Sequence, residues 1–248
     1  MLYVPFVVGT FVTAKFSLRV ALLALSVTFI FIARESLLAW WRARSRGQTL
    51  AEARRMMLVY MALAAVFGAP LILFYKLFWL VPLAGATLGL MFLNAHQAVR
   101  REDHSISGET IAILGLTLTA PTAYYTASGA IDTVALWLWV MCALYFLSSV
   151  FYVKLRVYSS NRRKPEARRH SWRLCALYHS FLLGALIVFA ITGNLNLLAL
   201  VAFAPALARS FWELAKPAAG LNLRRIGVLE IVYSLVFLIF ITMTFRLA

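Results

Sequence analysis

The sequence predicts an all-α fold: a polytopic transmembrane helical bundle of about nine spans, forming one domain over residues 1–248, with its N-terminus in the cytoplasm. Composition gives the class, since 63% of residues are hydrophobic, 13% are charged and the mean hydropathy is +0.84. A soluble domain of this length could not pack such a chain without exposing large apolar areas. The apolar runs are far longer than barrel strands and lack their two-residue alternation, which makes the spans helical. Charge distribution gives the orientation. Seventeen of the 24 Lys and Arg residues fall into every second gap between apolar runs, namely Arg42 to Arg55, Arg100 to Arg101, Lys154 to Arg169 and Lys216 to Arg225. The alternate gaps carry only Lys15, Arg19 and Lys76, and short basic loops stay on the cytoplasmic side.

Cutting at charges and at Gly/Pro clusters places the spans near 1–14, 20–41, 56–75, 77–98, 108–127, 133–153, 172–192, 195–215 and 226–246. The first is short, since 14 residues rise only about 21 Å. Met1 runs straight into Leu2, Tyr3 and Val4 without a basic leader or a cleavage site, so a signal peptide is not expected and the chain is expected to begin inside its first helix. Arg42 to Arg55 reads as a short amphipathic helix with Gly47 as a break and Thr49 as its cap. Ser107 is expected to cap the fifth span, with Glu109 at its positive end. Tyr158 to Ser171 reads as a basic flexible loop around Pro165, lying on lipid headgroups. Trp79, Trp137 and Trp139 near span ends, with Trp40, Trp41, Trp172 and Trp212 near cytoplasmic ends, fit interfacial belts. No repeat of 20 to 50 residues occurs, which excludes a solenoid.

A net charge of +15 would suggest nucleic acid in a soluble chain. Here it lies in juxtamembrane loops, so membrane lipids or an anionic ligand are the expected partners and nucleic acid is not. Cys142 and Cys175 fall inside spans with neither metal-site spacing nor an extracellular context. His96, Asp103 and His104, with Glu102 nearby, straddle a helix end and a short loop without fixed ligand geometry, so no metal site is expected. No phosphate loop, nucleophile elbow or HExxH motif occurs, and neither a cofactor nor a catalytic residue is specified.

Ionisable side chains inside spans are costly and each should have a partner. They are Arg34 and Glu35 at the end of the second span, Asn94 and His96 at the end of the fourth, and Glu109 opening the fifth. His179 lies two turns into the seventh, Arg209 and Glu213 end the eighth, and Glu230 sits one turn into the ninth. On the topology above all lie in the cytoplasmic half, while the external half offers hydroxyls such as Thr119, Thr122, Tyr124 and Tyr125. This asymmetry predicts a polar chamber open to the cytoplasm, with Arg34, Glu35, Asn94, His96, Glu109 and His179 as its candidate ligand-binding residues. Any of the terminal carboxylates could instead simply snorkel to the interface.

Three segments resemble the YwiC-like family of bacterial integral membrane proteins. They are Met1-Leu2-Tyr3-Val4-Pro5-Phe6-Val7-Val8-Gly9, then Phe92-Leu93-Asn94-Ala95-His96 followed by Arg100-Arg101-Glu102, then Ser148-Ser149-Val150-Phe151-Tyr152-Val153-Lys154-Leu155-Arg156. The resemblance implies a multi-pass protein of the bacterial cytoplasmic (inner) membrane and supplies no reaction. In topology the chain is more distantly similar to the UbiA-type prenyltransferases, whose active site lies under the cytoplasmic loops that follow the second and sixth spans. That family holds magnesium with two Asp-rich motifs. Here those positions offer Arg34-Glu35 and Tyr158-Ser159-Ser160-Asn161, without an aspartate.

The reading that follows is a cytoplasm-facing cavity binding an isoprenoid or quinone-like lipid. Asn94, His96 and His179 would hydrogen-bond the head, and Arg34 with Arg162, Arg163 and Arg168 would supply positive potential. The alternatives are a UbiA-like intramembrane transferase of prenyl or lipid-head groups, and a small-solute transporter or accessory subunit.

Overall fold

The computed structural model describes residues 2–47, 50–99, 105–160, 165–193, 195–216 and 223–247. Among these the chain is helical: α1 (Tyr3–Thr13), α2 (Leu18–Ser45), α3 (Ala51–Leu73), α4 (Leu80–Val99), α5 (Ile106–Thr117), α6 (Thr119–Ser128), α7 (Thr133–Ser160), α8 (Pro165–Ile191), α9 (Leu197–Ala215) and α10 (Leu223–Arg246). Six of them, α2, α3, α7, α8, α9 and α10, are long and apolar enough to cross a membrane, and α1 is a shorter apolar helix. Large apolar side chains on these helices, among them Leu73, Phe181 and Ile191, are exposed. A chain with this pattern is a multi-pass membrane protein, its exposed apolar faces in contact with lipid.

Several helix ends differ from those expected. α2 runs on to Ser45, Gly47 just beyond it lies in the left-handed region (φ 70°) and α3 starts at Ala51, so Arg42 to Arg55 is not a separate amphipathic helix; the expected cap, Thr49, lies outside the described residues. Arg42 and Arg44 occupy the last turn of α2, where cations favour the helix dipole. α7 continues to Ser160 and α8 starts at Pro165, so most of the expected Tyr158 to Ser171 loop is helix. Proline suits a first helical position because its missing N–H would have no intrahelical partner there. The fifth expected span is broken at Leu118 into α5 and α6. Pro121 has no N–H to give the carbonyl of Thr117, which interrupts the ladder at that point.

The chain divides into two compact units, Met1–Trp139 and Val140–Ala248, with the division inside α7. In the first, α2 packs against α3, α4 and α6, while α1 lies on α6 and α4 on α5. Its core joins Phe6, Val20, Leu23, Leu71, Leu80 and Tyr125. Gly9 lets α1 approach α6 closely, since a Cβ there would overlap the Ala120 carbonyl. Such small-residue contacts are the usual way for helices to pack in lipid. The Ser26 hydroxyl donates to the Ala64 carbonyl at 2.9 Å, tying α2 to α3. In the second unit α9 packs against both α8 and α10, and Tyr145 of α7 stacks on Phe237 at 4.0 Å with Phe203 at 5.9 Å.

Candidate functional site

A cavity of about 420 Å³ lies in the first unit. α2 contributes Leu23, Val27, Ile30 and Arg34, and α4 contributes Leu80, Ala84, Thr87, Met91 and Asn94. Both sets recur every three to four residues, so each helix presents one continuous stripe to the space. α5 and α6 add Ala112, Gly115, Thr119 and Thr122. From Leu23 to Arg34 the α2 stripe rises about 16 Å. Almost all of the wall is hydrocarbon, and among the described residues its one charged side chain is Arg34 at one end of that stripe.

Arg34 is held from two sides. Its Nη1 donates to Glu35 Oε1 at 2.5 Å and its Nη2 to Asn94 Oδ1 at 2.7 Å. Asn94 is buried, and its Nδ2 donates to the carbonyl of Gly108 at 3.1 Å, which fixes the amide against the first turn of α5. Those two bonds occupy two of the five N–H donors of a guanidinium. The Arg34 side chain is 28% exposed and that of Glu35 is 65% exposed, so the guanidinium is the more enclosed partner. The arrangement can fix a cation in a defined orientation at the end of an apolar slot.

The six expected site residues separate. Arg34, Glu35 and Asn94 form one connected group. Glu109 sits in the first turn of α5, one residue after the Gly108 carbonyl that Asn94 binds. The cap of that helix is Ser105 rather than Ser107: its hydroxyl accepts the Gly108 N–H at 3.0 Å, and Ser107 meets the Ser105 hydroxyl at 2.9 Å. Ser105 fits the cap because it alone has the extended backbone that precedes the first helical residue. His96 stands two residues from Asn94, roughly 200° around the helix, and packs beside Trp41 at 5.8 Å. His179 belongs to the second unit, is fully buried, and its Nδ1 bonds the Cys175 carbonyl of its own helix at 2.8 Å. Its Nε2 is buried without a hydrogen-bond partner among the described residues. Arg162, Arg163, Asp103, His104, Glu102, Arg100 and Arg101 lie outside the described residues.

The second unit holds a polar network that the candidate set omits. Arg209 of α9 pairs with Glu230 of α10, and both bond Ser149 of α7, at 3.2 Å from Arg209 Nη2 and 2.8 Å to Glu230 Oε2. The guanidinium lies over Tyr152 at 4.4 Å and Tyr233 at 5.1 Å. Close by, Arg156 Nη1 donates to Glu213 Oε1 at 2.8 Å with both side chains nearly buried. Arg209, Glu213 and Glu230 are visible in the sequence as intramembrane charges. Ser149, Tyr152 and Arg156 fall at the three- and four-residue spacing of one α7 face, and that spacing is the signal that could have found them.

The comparisons with known proteins bear on lineage. The family model described as YwiC-like protein matches residues 1–124, the part of the chain that carries the Arg34–Asn94 cavity. A protein of Haemophilus influenzae described as an uncharacterized protein is 25% identical over 199 residues, spanning 78% of this chain and 75% of its own. No solved structure matches. With half of its length matched, the chain belongs to the YwiC-like family.

Proposed function

We propose that this multi-pass membrane protein holds an amphiphilic lipid, isoprenoid or quinone-like, in the first-unit cavity. The observation that carries the reading is a single fixed cation, Arg34, braced by Asn94 at one end of an otherwise apolar slot of about 420 Å³. The tail would lie along the α2 and α4 stripes, and a polar or anionic head would take the remaining guanidinium donors as charge-assisted hydrogen bonds. Glu35 and Glu109 would set the potential around that head. His96 and His179 make their contacts elsewhere and play no part in this proposal.

The proposal includes an orientation. The chain would cross the bacterial cytoplasmic membrane nine times, counting α1, α4 and the α5/α6 pair as crossings, with its N-terminus inside. Support comes from the basic residues that follow Arg34, namely Arg42 and Arg44 on α2 and Arg46 just beyond it, a pattern that favours a cytoplasmic end. The head would then face the cytoplasm. A transferase acting on a diphosphate would require carboxylates to hold magnesium. Among the described residues no cluster of three or more His, Cys, Asp or Glu side chains is suited to a metal, so no step is assigned to that ion.

Lipid extraction and mass spectrometry of the purified protein test the reading. Wild type should retain a defined amphiphile at near-stoichiometric yield, and Arg34→Leu should lose at least about tenfold of it, the scale of one lost charge-assisted bond. Equal yields from the two proteins would refute it.

A further inference from the structure

At the end of the first cavity the Arg34 guanidinium has one fixed partner and one exchangeable partner. We infer that the lipid held there has an anionic head, a carboxylate or a phosphate, and that Glu35 is a built-in counter-ion which this head displaces. The inference rests on the cavity reading above and gives its ligand a charge.

Asn94 is the fixed partner. It is buried, its Oδ1 accepts from Arg34 Nη2, and its Nδ2 is tied to the Gly108 carbonyl. It is also neutral, so it orients the guanidinium without balancing its charge. Glu35 supplies that balance from a largely exposed position, and among the described residues that line the cavity there is no carboxylate. Successive residues on a helix point about 100° apart and do not face each other. Glu35 therefore reaches Arg34 Nη1 only by bending across the surface of α2. A pair this exposed holds weakly. In the second unit the Arg156–Glu213 and Arg209–Glu230 pairs are nearly buried, and exchange there would strand a charge. At Arg34 an incoming head would release Glu35 to solvent and take its place on Nη1, while Asn94 keeps Nη2 in position. That head must bring the negative charge that Glu35 takes away, because a cation at the end of a hydrocarbon slot is costly without one. Carboxylate and phosphate oxygens match the guanidinium fork. Past Arg34, α2 adds two cations, Arg42 and Arg44, and no acid other than Glu35, so the potential at this end draws anions. Glu109, one residue beyond Gly108, lies on the positive pole of α5, which offsets its charge.

Native mass spectrometry of the full chain in a non-ionic detergent tests this with decanoate, decyl phosphate and decanol as probes. Wild type should retain at least one of the two anions about tenfold more tightly than decanol, the tighter anion identifying the source. Glu35→Gln removes the competing charge at an exposed position and should raise affinity for that anion about three- to fivefold, with decanol unchanged. Glu35→Ala should give the same gain, and the gain should disappear when Arg34→Leu is added to either, which ties it to the guanidinium. The inference is overturned if decanol binds as tightly as the anions, or if neither Glu35 variant gains affinity for them. Retention of decanol alone, lost in Arg34→Leu, would overturn it and leave the cavity reading intact. Retention of none of the three would overturn both.

Discussion

Replacing Glu230 with leucine should destabilise the protein far more than replacing Glu230 and Arg209 together. The Arg209 and Glu230 side chains are 8% and 15% exposed, so little solvent remains to screen either charge. Glu230→Leu would leave the guanidinium with one hydroxyl, that of Ser149, and the faces of Tyr152 and Tyr233. Cation–π contacts of this kind contribute about 1–2 kcal/mol when desolvated, less than is lost. Removing one member of a buried pair costs about 3–5 kcal/mol, or roughly two to four orders of magnitude in the folded-to-unfolded ratio. With both charges gone, as in Arg209→Leu with Glu230→Leu, no ion is left unpaired, and stability should return to within about 2 kcal/mol of wild type. Equilibrium unfolding in mixed micelles, followed by circular dichroism, measures all four corners of this cycle. The reasoning fails if Glu230→Leu lies within about 1 kcal/mol of wild type, or if the double variant is as unstable as the single one.

Gly9→Ala should lower stability by about 1–3 kcal/mol, because the added methyl must displace the Ala120 backbone; an unchanged melting temperature would show that α1 does not pack on α6 as described. His179→Leu should fold with unchanged or slightly higher stability, by up to about 1 kcal/mol, since it removes a buried unpaired nitrogen whose ring otherwise meets only the Cys175 carbonyl and thiol as polar partners among the described residues. A large loss in thermal unfolding would reveal a partner for that ring. For the proposed orientation, a cysteine at Arg44 should react with an impermeant thiol reagent from the cytoplasmic side and one at Ser128 from the opposite side. Labelling of Arg44→Cys from outside alone would reverse the topology.

Much of the helical layout can be read from hydropathy because lipid leaves the backbone no other way to satisfy its polar groups. Each expected span overlaps a helix, or in one case the α5/α6 pair, and six of these helices are long and apolar enough to cross a membrane. The ends are harder to read. Arg42 to Ser45 and Lys154 to Ser160 are polar enough to suggest loops, yet the helix continues because ladder hydrogen bonds do not depend on hydropathy. The Arg34–Asn94 group was within reach of the sequence, since both lie at the basic ends of neighbouring long segments. The separation of His96 from Asn94 follows from their spacing of two, which turns them to opposite sides of one helix. Ser149 and Arg156 were harder to recognise because their partners, Glu230 and Glu213, lie 81 and 57 residues away along the chain. Nothing local specifies that pairing. His179 shows the converse: depth in a span suggested a functional imidazole, but the bond it makes is to a carbonyl one turn back on its own helix.

The break at Leu118 has a mechanical consequence. The residues around it, Leu116, Thr119 and Thr122, form part of the wall of the first cavity, and Pro121 deprives that wall of one rung of its backbone ladder. A helix is most compliant where a rung is missing, so this stretch would bend at lower cost than α2 or α4 on the other sides. Widening of the slot would concentrate at Leu118, and the residence time of an occupant would be set there rather than at Arg34. Affinity and exchange rate would then be governed by different residues and could be altered separately.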